Sequence, residues 1–413
     1  MSSADPQGTQ AFPEALTTRE AWLEPFDWYN EMREEAPVRY DPKRKTWDAF
    51  QYTDVKSILA DDERFSTNPR NASDFQEPEG EGQGLILETM LLQDPPRHDE
   101  LRSVVDEAFQ PRALQSLEPR IRELTTDLLD EALADDPDEM ELVNYLSYPL
   151  PVIVIAELLG VPSDEREQFR AWSDTLVAAA SATEDTEAFI ESQENAQREM
   201  AMYFMEMIAD RREDPQDDLM SHIATTEMDD GSQLTQQEAL GMCMLLLIAG
   251  NITTTNLITN AVRCFAQHDL SADLMNGNDE STLSTAIEEV LRYRSPVQAM
   301  TRIAMTDVTI QDETIEEGDR VVAWLGSANR DERQFDTADS FVHDRTPNQH
   351  LGFGYGTHYC LGAPLARLEA KVVLSELLNR VDSIEISETT LQPTRSSFIY
   401  GVESLPIRFE TTT

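Results

Sequence analysis

From His350 to Arg367 the chain reads His-Leu-Gly-Phe-Gly-Tyr-Gly-Thr-His-Tyr-Cys-Leu-Gly-Ala-Pro-Leu-Ala-Arg, a lone cysteine at the lip of a glycine-rich loop. Gly352, Gly354, Gly356 and Gly362 permit backbone shapes and close approaches that a Cβ resists. The stretch from Ala363 to Leu378 has apolar residues at helical spacing, and Pro364 is tolerated in a first turn. Cys360 is therefore expected just before a helix, where amide N–H groups and the helix dipole favour an anionic sulfur. A thiolate held there can ligate a metal.

Four readings compete for this loop. A phosphate-binding G-x-G-x-x-G fails on spacing, because its last glycine falls on Thr357 or on Tyr359. A zinc site of His350, His358 and Cys360 lacks the paired spacing such sites usually show. A Cys/His nucleophile is open, though two residues two positions apart are a weak hydrolase signal. An ordinary turn with a buried thiol leaves the glycines, histidine and cysteine together unexplained.

The chain has 413 residues, with 79 acidic against 32 basic side chains and a formal net charge of -47. Such a surface excludes a general nucleic-acid binder, which needs cations facing phosphate. Self-repulsion of this size destabilises a compact state unless salt screens it, and at molar salt the Debye length is about 3 Å. The composition therefore predicts a halophilic protein from a salt-rich cytosol. Cys243, Cys264 and Cys360 are too few for a disulfide framework. Residues 1–20 carry neither a basic start nor an apolar core, and the longest apolar run, Met242 to Ala249, is too short to span a bilayer. The expectation is a cytoplasmic protein without membrane anchor.

Along the chain, Val38 to Tyr52 alternates around Asp41-Pro42 and predicts a hairpin. Asn68 to Gly84, with Pro78, Gly80 and Gly82, reads as a long polar loop. Amphipathic helices are predicted over 54–61, from Asp94 to near Pro111, and over 113–134, 149–159, 163–180, 186–212, 236–267 and 284–293. Strands are expected over 304–310 and 320–325, with polar turns over 312–319 and an extended tail over 394–409. The fold class is mainly α with minor β, a small sheet at each end of the sequence. No repeat or linker divides it, so residues 1–413 are read as a single domain with about 1–20 loosely ordered.

Phe353-Gly-x-Gly-x-His358-x-Cys360-x-Gly362 resembles the heme-binding loop of the cytochrome P450 family. Three further stretches, in the same order, strengthen the resemblance. Glu289-Val-Leu-Arg292 matches the family's E-x-x-R pair, about seventy residues before the loop. Asp94-Pro-Pro-Arg-His98-Asp-Glu-Leu-Arg102 matches a heme-contacting stretch. Ala249-Gly250-Asn251-Ile252-Thr253-Thr254 matches the distal-helix pattern, and Gly250 costs that helix about 1 kcal/mol unless it serves a purpose.

The resemblance implies the P450 fold, with heme between a distal central helix and a proximal Cys loop. It implies heme b with Cys360 as axial thiolate, bordered by Phe353, Gly362, Ala249 and Gly250, and His98, Arg102, Arg302 and His358 on the propionates. It implies a monooxygenase, with Thr253 and Thr254 catalytic and a ferredoxin-type electron donor docked near Arg97, Arg112, Arg367 and Lys371. A small apolar substrate would lie against Leu85 to Leu87, Leu246, Ala249, Val297 to Met300, Phe398 and Ile399. One position departs from the pattern: Ile252 stands where the family has an acid that relays protons. That keeps open a peroxide-driven oxygenase or a heme-thiolate isomerase, and a non-catalytic heme-binding sensor is the alternative from another class.

Overall fold

Residues Gln236 to Gln267 form one unbroken helix of 32 residues. Its start is fixed by a capping box in which the Thr235 hydroxyl accepts from the Glu238 N–H, while the Glu238 carboxylate accepts from the Thr235 N–H. The computed structural model describes residues 12–77, 84–135, 138–166, 168, 169, 171–173, 175, 187–228, 231–268, 270, 274, 280–387 and 390–411. This central helix packs against helices Pro149–Leu159, Glu187–Glu213, Glu280–Tyr293 and Ala363–Leu378. It is long and apolar enough to cross a membrane, with mean hydropathy 1.5, but 72% of that window is buried against its neighbours.

The β content comprises β1 (Val38–Asp41), β2 (Thr46–Ala49), β3 (Phe65–Ser66), β4 (Glu139–Glu141), β5 (Met300–Ala304), β6 (Val308–Ile310), β7 (Glu313–Ile315), β8 (Arg320–Ala323), β9 (Val381–Ile386) and β10 (Pro406–Thr411). The predicted hairpin is β1 and β2, paired antiparallel from Val38 opposite Ala49. The expectation of a sheet at each end of the sequence is corrected. One five-stranded sheet runs β1-β2-β8-β5-β3 and joins both parts, with β2 parallel to β8. The strand expected over 304–310 is two, β5 and β6, and the polar stretch after it contains β7, paired with β6. Of the tail, residues 406–411 form ladders, with β9 on one side and β4 on the other.

The helices predicted over 149–159 and 236–267 form with those bounds, and that over 284–293 starts earlier, at Glu280. Parts of the regions read as helix over 163–180, as loop over 68–84 and as a loose start over 1–20 lie outside the described residues. From Phe12 onward the start is ordered, with Leu16 buried and its carbonyl accepting from Trp22 Nε1 at 2.7 Å.

Many arginines are committed to ion pairs: Arg70 with Glu77 and Glu88, Arg120 with Glu123 and Glu157, Arg122 with Glu118 and Glu376. With 79 acids against 32 bases, pairing cannot neutralise the surface. The Debye length falls from about 10 Å at 0.1 M salt to about 3 Å at 1 M. The melting temperature is therefore expected to be lower in dilute buffer than in molar KCl, by on the order of 10 °C for a few kcal/mol of repulsion. Superimposable melting curves in the two buffers would refute the halophilic reading.

Candidate active site

The Cys360 loop is shaped by its own backbone. Gly354 N–H donates to Leu351 O at 2.9 Å and Cys360 N–H to Phe353 O at 3.0 Å. Gly354 and Gly356 sit at φ +73° and +76°, which residues with a Cβ rarely adopt, and a Cβ on Gly356 would lie 2.5 Å from Leu59 O. The glycines thus let the loop lie against helix Tyr52–Ala60. The chain then enters helix Ala363–Leu378, with Pro364 in its first turn.

Cys360 is exposed, but to an internal cavity that it lines. Burial pushes its thiol up, while the Gly362 and Ala363 amides and the guanidiniums of Arg102 and Arg367 pull it down. Burial wins. The amides favour the anion, as expected, but burial outweighs them, and a cation beside the sulfur, as a bound metal would supply, would tip the balance toward thiolate.

The opposite wall is the central helix. Leu246, Ala249, Gly250, Thr253, Thr254 and Leu257 line the cavity, one stripe at helical spacing. A Cβ on Gly250 would meet nothing within 4 Å, so this glycine leaves open space. Thr253 Oγ1 donates back to Ala249 O at 2.7 Å. Neither Ile252 nor Asn251 lines the cavity. Asn251 is buried and its Oδ1 accepts from Thr255 Oγ1 at 3.2 Å.

Met90, Leu91, Ile155, Leu245, Val297 and Met300 add apolar walls, and the whole encloses about 1250 Å³ of atom-free space, mouth included. Every residue expected at the heme or in catalysis, namely His98, Arg102, Ala249, Gly250, Thr253, Thr254, Phe353, His358, Cys360 and Gly362, lines this cavity except Arg302.

Basic side chains gather along one edge. The His98 and His358 rings are 4.3 Å apart, and His358 Nε2 lies 3.3 Å from Thr67 Oγ1. Burial, then Arg302, His98 and Arg102, hold His358 down at about 2, so it is neutral. Arg102 Nη1 donates to Tyr359 O at 2.8 Å and Thr357 O at 3.3 Å, tying its helix to the loop. Arg302 is 4% exposed; its Nη1 donates to Thr301 O at 3.0 Å and its Nη2 has no partner. Burial pushes Arg302 down to about 10, opposed by Asp62 and Asp94. A buried guanidinium without a paired carboxylate is costly. An anionic group at this edge and a metal at Cys360 would each answer an unmet demand, so the residues present fit an iron porphyrin carrying carboxylates.

The other readings of the loop fare worse. Among the described residues no group of three His, Cys, Asp or Glu could hold a metal. His350 is taken up structurally, its Nε2 3.0 Å from Glu288 Oε2 and its Nδ1 accepting from the Gly352 N–H. No hydrogen bond joins Cys360 to His358 among the described residues.

Several expected lining residues do not line the cavity. Leu85, Ile86 and Leu87 form a 3₁₀ turn whose Leu85 carbonyl presses on Gly241 of the central helix. Gln298 accepts from the Tyr29 hydroxyl, Ala299 joins an aromatic cluster around Trp324, and Ile399 bridges to Val297. Met90, Leu91, Pro151 and Ile155 were not anticipated, nor was Glu369. Glu369 leaves a trace in the sequence, as a carboxylate on the apolar face that carries Leu365, Ala366 and Ala370.

On the outer side, Arg112, Arg367 and Lys371 line a groove with Glu118 and Glu288. Arg367 pairs with Glu288 at 2.6 Å and lies over the Phe353 ring at 4.5 Å. Arg97 is instead engaged with Glu100 and Glu238, so it does not belong to this cluster.

A sequence model of the cytochrome P450 family matches residues 19–269 and 281–409. The chain is 40% identical over 399 residues to cytochrome P450 109 of Bacillus spizizenii, covering 96% of this chain and 94% of that protein. The crystal structure of substrate-free CYP109E1 from Bacillus megaterium is similar with TM-score 0.87 and 41% identity, covering 94% of this chain and 100% of that one. The same Bacillus protein in complex with corticosterone gives TM-score 0.83 and 40% identity, covering 94% and 99%.

Proposed function

The chain belongs to the cytochrome P450 family, whose members are in general heme monooxygenases with cysteine thiolate ligation, and on that premise we propose that it oxidises a neutral apolar molecule with heme b held by Cys360. The observation that carries this is one cavity, onto which the Cys360 thiol and the Thr253 and Thr254 side chains both open. When bound, the heme would supply oxygen activation, which thiolate ligation by Cys360 would favour.

The chain's own residues do the rest. Arg302, with its unpartnered Nη2, and His98, His358 and Arg102 beside it take the anionic propionate edge. Ala249 and Gly250 keep the helix thin where the porphyrin and substrate must share space. Thr253, its hydroxyl proton directed to Ala249 O, keeps its oxygen lone pairs for a proton donor arriving in the cavity. The apolar walls, from Leu91 through Leu245 and Leu246 to Val297 and Met300, hold no charge and exclude water, which favours neutral substrates. The relative that holds corticosterone supports a steroid-sized one. The groove of Arg112, Arg367 and Lys371 suits an acidic ferredoxin as electron donor, working in the cytoplasm, and residues 1–413 act as one domain.

Ile252 favours a second reading, a peroxide-driven oxygenase, because an isoleucine cannot relay a proton. Reconstitution with ferredoxin, its reductase and NADPH separates the two. The expected result is hydroxylated product that tracks NADPH oxidation for a steroid or terpenoid. Product formed only with added peroxide would replace the first reading by the second, and no turnover of either kind would leave a heme-binding sensor.

A further inference from the structure

The stretch from Arg19 to Glu24 reaches three distant parts of the chain. Arg19 Nη2 donates to Leu391 O at 2.6 Å, and the Leu23 carbonyl accepts from the Tyr400 hydroxyl at 2.8 Å. Glu24 Oε1 accepts from Arg263 Nη2 at 2.8 Å, near the end of the central helix, and from Arg294 Nη2 at 3.3 Å. Both guanidiniums also donate to Tyr400 Oη. Without Glu24 two buried cations are stranded. The Arg263 and Arg294 side chains are 4% and 5% exposed, and Glu24 is the one carboxylate paired with either among the described residues. Their Nε atoms have no partner, and a third guanidinium, Arg330, packs at 3.5 Å over the Phe26 ring that Arg294 also faces. Removing the carboxylate from a buried guanidinium is costly. Glu24 itself is half-exposed, so water competes for it and its hold is weaker than that of a fully buried pair.

Tyr400 carries that hold to the cavity. Its N–H donates to Pro296 O at 2.8 Å, and Asn260 Nδ2 donates to the carbonyls of Arg294 and Tyr400. One residue earlier Ile399 bridges to Val297, and the Gln298 N–H donates to Phe398 O at 2.7 Å. Pro296 and Val297 line the cavity, whereas residues 398–400, which hold them, do not.

Resting on the reading of this cavity as the substrate site, we propose that Glu24 is a positioning residue for the substrate: it locks Tyr400 through Arg263 and Arg294, and Tyr400 fixes the Pro296–Val297 wall against which the substrate packs. Residues 19–24 do not line the cavity, so Glu24 acts on the fit of the substrate and not on the reacting atoms. A wall held in place beforehand spares the substrate the cost of ordering it.

The test uses the heme-loaded full chain, with corticosterone as the probe. Hydrogen exchange, read without ligand or turnover, should be at least about tenfold faster at the Gln298 and Tyr400 amides in Glu24→Gln. Glu376→Gln, which takes a carboxylate from Arg122 and Arg380, should leave those two amides as in the wild type. Corticosterone should bind at least about fivefold more weakly to Glu24→Gln, and in turnover KM should rise by that factor while kcat holds within about twofold. Tyr400→Phe keeps the ring and the carboxylate but removes the oxygen that links them, and should weaken binding to a similar degree. Because both act through one chain of contacts, the double variant should bind within about twofold of the weaker single variant. Wild-type exchange at both amides in Glu24→Gln overturns the proposal, as do losses of affinity that multiply in the double variant. If Glu24→Gln does not fold, Tyr400→Phe decides, and wild-type exchange and affinity there overturn the proposal equally. A wild-type chain that binds corticosterone but oxidises nothing would sink the monooxygenase reading and leave Glu24 in its role; one that binds no steroid would sink the steroid-sized site, with the exchange rates still deciding whether Glu24 holds the wall.

Discussion

Cys360→Ser is expected to leave the fold intact and to reduce oxygenation by at least about 100-fold. Removing an outer partner of a metal ligand already costs roughly 10–100-fold, and here the proposed ligand itself is lost. A serine hydroxyl does not become an anion beside iron as readily as a thiol, so the electron push that favours O–O cleavage goes with it. The fold has little stake in the sulfur. Cys360 faces the cavity, and the loop is held by the Cys360 N–H on Phe353 O, by the Gly354 N–H on Leu351 O and by two left-handed glycines. The variant should melt within a few degrees of wild type, and its ferrous-carbonyl band should lose the red shift that thiolate ligation gives. A C360S protein with an unchanged carbonyl band would overturn Cys360 as ligand, and full activity would overturn the reaction as well.

What could be read from the residues is what depends on neighbours in sequence. The hairpin at Asp41-Pro42, the helix beginning at the Thr235 capping box and the glycine spacing of the Cys360 loop each carry their own local signal. What could not be read depends on partners far along the chain. Nothing near Thr46 says that it pairs with Arg320 in a parallel ladder. The lining residues were misjudged by a few positions because the turn from Leu85 to Glu88 directs Leu85 at Gly241, leaving Met90 and Leu91 for the cavity. At Cys360 the helix-end amides that favour a thiolate are visible in the sequence, whereas the burial that outweighs them is not. Arg97 looked available until the fold brought Glu238 to it across 141 positions.

The Glu289–Arg292 pair is where distance along the chain matters most, because a surface pair of this spacing would contribute only a few tenths of a kcal/mol. Both side chains are 0% exposed. Glu289 accepts from Arg292 twice at 2.8 Å, from Arg345 at 3.0 Å, from Asn348 at 3.1 Å and from the Val342 N–H at 2.8 Å. Arg292 also donates to Asn329 O, Ala338 O and Ser340 O. The pair thereby holds together residues 329–348, and Asn329 in turn accepts the Leu351 N–H at 2.7 Å, where the Cys360 loop begins. Glu289→Ala strands a buried guanidinium and the donors around it, which typically costs about 3–5 kcal/mol, a large part of the roughly 5–15 kcal/mol that keeps a protein folded. Glu289→Ala is thus expected to melt far below wild type and to retain less heme. Glu123→Ala, which removes one exposed partner of Arg120, should change melting little. Glu289→Gln keeps the shape and loses the charge, and should fall between them. If Glu289→Ala melts with Glu123→Ala, the network does not organise the loop, and the loop's geometry must rest on its glycines alone.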